Sequence, residues 1–147
     1  MREPSARIRL LLVDDEEGYV KVLAKRMTRR NMEVMTALSG SEGIQRLRKQ
    51  DFDVAILDLK MEDMDGIETL REIKRAHPLV EVVMLTGHAT VETAIEGMKL
   101  GAFDYLMKPC EVEQLMAKVE EAKRKKGAQE QKILDARLKE IIGRVGG

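Results

Sequence analysis

Apolar positions along this chain follow two alternating rhythms. Five short runs rich in apolar residues occupy 8–13, 33–37, 53–57, 81–86 and 102–107. Runs of this length closed by polar or turn residues read as strands, and the nearly unbroken ones as strands buried on both faces. Between them, apolar residues recur three and four apart, as on one face of a helix. This spacing predicts helices over 16–30 (Tyr19, Val22, Leu23, Met27), from Ser39 to about Gln50 (Ile44, Leu47), and from near Gly66 to Ala76 or His77 (Ile67, Leu70, Ile73). It also predicts helices over 91–100 (Val91, Ala94, Ile95, Met98) and 111–126 (Val112, Leu115, Met116, Val119). The punctuation agrees. Ser39 and Glu42 have the spacing of a capping box. Pro78 ends the third helix. Thr90 or a neighbour caps the fourth, and Gly101 lies where a helix C-terminus takes glycine.

Strand and helix alternate five times, the signature of a parallel sheet covered on both faces. The expected architecture is α/β: a doubly wound, five-stranded parallel sheet in a three-layer α/β/α domain, with the flavodoxin-like order 2-1-3-4-5. That domain is assigned to residues 1–126. Residues 127–147 form a C-terminal helical tail, where Leu134, Leu138, Ile141 and Val145 follow one another at intervals of four and three. The stripe suits a helix packed on the domain or on a partner chain; a loosely held terminal helix fits it equally.

Composition narrows the function classes. The 26 basic and 26 acidic residues cancel, so no electrostatic reason exists to expect nucleic acid or an anionic membrane as partner. The single cysteine, Cys110, excludes an internal disulfide and suits a cytoplasmic location. No apolar run is long enough to span a membrane, and the charged start is too polar for a signal peptide. The ten methionines read as flexible core filling.

The chemistry gathers at one sheet edge. Strand one ends in Asp14 and Asp15, strand three in Asp58, strand four in Thr86 and strand five in Lys108. Ligands of open parallel sheets bind at that carboxyl edge. Crowded carboxylates repel one another, and a hard divalent cation such as magnesium relieves the repulsion. Lys108 and the metal would then neutralise an incoming phosphoryl group, with Thr86 hydrogen-bonding one of its oxygens and Asp58 as nucleophile. Taken singly, each residue reads as a turn, a cap or a surface Lys-Pro. Their joint placement on separate strand ends is harder to dismiss.

These residues carry a resemblance. Val13-Asp14-Asp15-Glu16, then Leu57-Asp58 through Asp65-Gly66, then Leu85-Thr86-Gly87-His88, then Lys108-Pro109, resemble the receiver domain of two-component response regulators over residues 8–126. Residues 86–109 look especially like receivers attached to enhancer-binding transcription activators. The resemblance implies that Asp58 takes a phosphoryl group from a histidine kinase. It implies Mg2+ held by Asp14, Asp15, Asp58 and the backbone carbonyl of Lys60. It implies that Lys108 contacts the phosphoryl group, that Pro109 follows a cis peptide bond, and that Thr86 and Tyr105 form a switch pair. The pair would bias a surface made by helix four, strand five and helix five toward a downstream protein. Lys60 and His88 would tune the lifetime of the phosphorylated form. Glu62 stands where the family commonly has proline, a departure that bears on the loop beside Asp58.

Such a protein would be a switch, and no enzyme beyond phosphorylation and slow dephosphorylation of its own Asp58. Homodimers would form through the helix 4–strand 5–helix 5 surface or through the tail. Two other readings remain in play: a phosphorylation-independent interaction module, and an aspartyl phosphatase. The latter would normally place a second acid two residues after the nucleophile, where this chain has Lys60. Walker and dinucleotide glycine motifs are absent.

Overall fold

A computed structural model describes residues 7–61, 65–87 and 90–146. The element order is β1 (Arg9–Val13), α1 (Glu17–Thr28), β2 (Glu33–Ala37), α2 (Gly40–Lys49), β3 (Val54–Leu57), α3 (Gly66–Ala76), β4 (Glu81–Thr86), α4 (Val91–Lys99), β5 (Asp104–Met107) and α5 (Val112–Gly146). All strand pairings are parallel, in the order β2-β1-β3-β4-β5. This is the doubly wound architecture expected from the alternation.

Side chains alternate across a strand, so each central strand feeds two cores. Leu11 and Val13 of β1 join Ala55 and Leu57 of β3 and Val82 and Met84 of β4 beneath Leu47 of α2 and Ile67, Leu70 and Ile73 of α3. Leu10, Leu12, Val54, Ile56, Val83 and Leu85 point the other way. They meet Val20, Leu23 and Met27 of α1 and Leu115, Val119 and Ala122 of α5. β3 and β4 are buried along their whole length, as an unbroken apolar run between two helical layers must be.

Local signals account for the helix ends. The Ser39 side chain accepts the Glu42 N–H at 3.0 Å, but the Glu42 carboxylate reaches the N–H of Leu38, not of Ser39. Thr90 and Thr93 form a reciprocal capping box at the start of α4. Asp65 accepts the Ile67 N–H and starts α3. Gly101 adopts φ 106°, the left-handed conformation that glycine takes without strain.

Three expectations are corrected. Val22 of α1 is exposed, and Val20 takes the inward place. In α4 the larger apolar residues Val91, Ile95 and Met98 face outward, and only Ala94 and Gly97 are buried. A Cβ on Gly97 would come within 2.4 Å of the Met84 sulfur, so α4 seats closely on its smallest residues. Finally, α5 does not end at Lys126. It runs unbroken to Gly146. The helical cost of Gly127, about 1 kcal/mol, is met by helix-forming neighbours and by the Lys126–Glu130 bond that spans it.

Candidate functional site

Register builds the site. β1 and β3 pair with Val13 opposite Leu57, and the Asp58 N–H bonds the Val13 carbonyl at 3.0 Å. Asp14 and Asp58 therefore leave adjacent strands at the same level. β4 and β5 pair with Thr86 opposite Met107, and the Lys108 N–H bonds the Thr86 carbonyl. Asp14, Asp58 and Thr86 are all buried.

Lys108 closes the group. Its Nζ donates to Asp14 Oδ2 at 2.7 Å and to Glu16 Oε1 at 2.9 Å, and lies 3.6 Å from Asp58 Oδ2. The ammonium also sits 4.4 Å from the centre of the Tyr19 ring, a cation–π distance. Burial alone would lower the Lys108 pKa, but its hydrogen bonds to Asp14 and Glu16 and the nearby carboxylate charges hold it above the usual lysine range. Asp14 is pushed up by burial, against the opposing pull of Lys108 and of the Glu16 N–H. Burial also raises the Tyr19 phenol. The Lys108–Pro109 peptide bond is cis.

Carboxylate oxygens of Asp14, Glu16 and Asp58 all lie within 4.8 Å of one another. Three such oxygens suit a hard divalent cation. The expected set had Asp15 in place of Glu16. Asp15 is half-buried one position away and is not part of this cluster. Glu16 was read from the sequence only as a helix-start acid. The signal available was its place two residues after Asp14, where the chain turns into α1. Tyr19 was read only as core; it does pack against the core, and its ring also lies under the Lys108 ammonium.

The remaining expected residues fall as follows. Lys60 is exposed, and its N–H bonds Asp58 Oδ1 at 3.3 Å. Tyr105 is half-buried, packs against the core under α3, and pairs in register with Met84. His88 and Glu62 lie outside the described residues.

Residues 10–120 match the family model described as the response regulator receiver domain. The chain is 39% identical to the transcriptional regulatory protein ZraR of Escherichia coli K12 over 115 residues, which are 78% of this chain and 26% of that protein. It is 37% identical to the transcriptional regulatory protein GlrR of the same organism over 113 residues, 77% of this chain and 26% of that one. The chain thus spans about a quarter of the length of these curated relatives. Among solved structures, a response regulator receiver domain protein (CheY-like) from Methanospirillum hungatei superposes with a TM-score of 0.81 at 28% identity, covering 84% of this chain and 98% of that one. A receiver domain protein from Clostridium thermocellum gives 0.79 at 35% identity, covering 83% and 98%.

Proposed function

The chain belongs to the response regulator receiver family, and on that premise we propose that Asp58 accepts a phosphoryl group from a histidine kinase in a Mg2+-dependent reaction. The observation that carries this reading is the placement of Lys108, which faces Asp58 from two strands away and Asp14 from three. Phosphoryl transfer needs charge neutralisation and in-line positioning more than covalent help. Asp58 is the nucleophile. Mg2+ would be held by Asp14, Asp58 and a further acid, Asp15 or Glu16, with the Lys60 carbonyl, and would supply positive charge against the phosphoryl oxygens. Lys108 trades its present carboxylate partners for a phosphoryl oxygen, and Thr86 donates to another.

That trade is the switch. Thr86 moves toward the phosphoryl group and vacates space for the Tyr105 ring, which biases the α4–β5–α5 surface. Val91, Ile95 and Met98 of α4 and Met107 of β5 are exposed there, and they suit a downstream protein or a second receiver. Residues 1–126 act as the receiver and 127–147 as an arm beyond it. Lys60 and His88 set the lifetime of the acyl phosphate. The setting is cytoplasmic, and no described helix is long and apolar enough to cross a membrane.

Incubation with acetyl phosphate and Mg2+ tests the reading. An acid-stable, base-labile adduct is expected on the intact protein and is lost in Asp58→Asn. An absent adduct, or one unaffected by that substitution, favours a phosphorylation-independent interaction module. Continuous release of phosphate from an external ester would favour a phosphatase.

A further inference from the structure

Two kinds of partner surround the Lys108 ammonium. Asp14 and Glu16 accept from it, and Asp58 lies at 3.6 Å. These are the same three acids whose carboxylate oxygens lie within 4.8 Å of one another. A divalent cation at that cluster would claim them, and a second cation close by is repelled. The Tyr19 ring, with its centre 4.4 Å from the ammonium, is a partner of another kind. It has no carboxylate for a metal to take, and its face attracts a cation through the ring quadrupole. The lysine side chain is only 13% exposed, so water screens this contact little.

The fold fixes the ring and leaves the lysine to be fixed. Tyr19 sits in the first turn of α1, where its neighbour Val20 is buried and the Val20 N–H bonds the Glu16 carbonyl at 3.0 Å. The ring packs against the core shared by β1, β3, β4 and α1. With Leu12, Ile56 and Leu85 it also lines a small cavity beside Asp14 and Asp58. Lysine, by contrast, is a point charge on a flexible four-carbon stem. Any apolar side chain would fill the core at position 19, but only an aromatic one also offers a face to the ammonium.

We propose that Tyr19 is a positioning residue for phosphoryl transfer: its ring holds the Lys108 ammonium beside Asp58 when the carboxylates turn to the metal. The role rests on the reading of Asp58 as phosphoacceptor. Phosphoryl transfer draws its rate from charge held in place. A lysine that keeps one fixed partner loses less freedom on meeting the phosphoryl oxygens than one released by all of them. Tyr19 touches neither Asp58 chemistry nor phosphate in this arrangement. It acts through Lys108 alone.

NMR and labelling of the full chain test this. Without any phosphodonor, the Lys108 ε-methylene protons are expected to be shifted upfield by the ring, and to return toward ordinary lysine values in Tyr19→Leu. In single-turnover labelling by acetyl phosphate at saturating Mg2+, Tyr19→Leu is expected to be slower by about threefold to thirtyfold. Tyr19→Phe keeps the ring and is expected to restore the rate. A trifluorinated phenylalanine at the same position keeps the ring's shape but withdraws negative charge from its face, so labelling slows again. Added to Lys108→Ala, Tyr19→Leu is expected to bring no further loss. The proposal is overturned by unshifted Lys108 protons, by a phenylalanine that fails to restore the rate, by a fluorinated ring as good as phenylalanine, or by a full further loss in the Lys108→Ala background. An unsubstituted protein that takes no label sinks the Asp58 reading and this role with it. A labelled protein in which Tyr19→Leu changes nothing sinks only the role of Tyr19.

Discussion

The Nζ of Lys108 stands 3.6 Å from the Oδ2 of Asp58, although β4 separates their strands in the sheet. The long lysine stem spans that gap, and no shorter cation would. Lys108→Ala is therefore expected to slow labelling of Asp58 by acetyl phosphate by on the order of a hundredfold, the usual cost of removing one preorganised charge-stabilising donor. Single-turnover labelling at fixed Mg2+ measures this. Labelling at the unsubstituted rate would remove Lys108 from the reaction.

Metal and protons compete for the same oxygens. Asp14 is raised above the ordinary carboxylate value by burial. The folded state thus holds its proton more tightly than the unfolded chain does, and the stability from this source is present at acid pH and lost as pH rises through the folded value. Mg2+ needs the ionised form, so its apparent affinity is expected to begin falling at a higher pH than for an ordinary aspartate. At a hundredfold excess over Kd, binding adds about 2.7 kcal/mol and raises Tm by about 5 °C or more near neutral pH. Asp14→Asn should abolish most of that rise. Thermal melts with and without Mg2+ at two pH values decide it.

Gly66 shows how tightly the loop after Asp58 closes on α3. A Cβ there would stand 2.3 Å from the Leu59 Cα and 2.5 Å from the Asp58 carbonyl oxygen, both backbone atoms. Gly66→Ala is expected to cost about 1–3 kcal/mol or more and to displace the Asp58 backbone. Urea denaturation gives the first quantity and acetyl phosphate labelling the second. Unchanged stability and unchanged labelling together would mean that the loop yields without consequence.

Asp53 balances two lysines and a backbone N–H at the opposite end of β3 from Asp58. Asp53→Ala leaves those donors unpaired. Loss of a fully buried pair costs about 3–5 kcal/mol. Lys123 and Lys126 retain some exposure, which lowers the expected loss to about 1–3 kcal/mol. Chemical denaturation reads this. Hydrogen exchange should also quicken in α5 around residues 123–130, where the helix leaves the domain.

The sequence by itself determined the layers, the sheet order and the edge on which chemistry gathers. Those follow from local physics: apolar runs between turn residues, three-and-four spacing, and acids placed where strands stop. It also placed Ser39, Gly101 and the strand-end residues Asp14, Asp58, Thr86 and Lys108. What only the tertiary structure decided concerns direction. Periodicity says that α4 has an apolar side, but the close seat of Gly97 on Met84 is what turns Val91, Ile95 and Met98 outward. Spacing does not show that the Glu16 carboxylate comes within 4.8 Å of those of Asp14 and Asp58, because that depends on how the chain turns from β1 into α1. The length of α5 was hidden for a related reason. A single glycine reads as a stop, whereas Lys126 bridges it to Glu130 while two buried carboxylates hold the preceding turn in place.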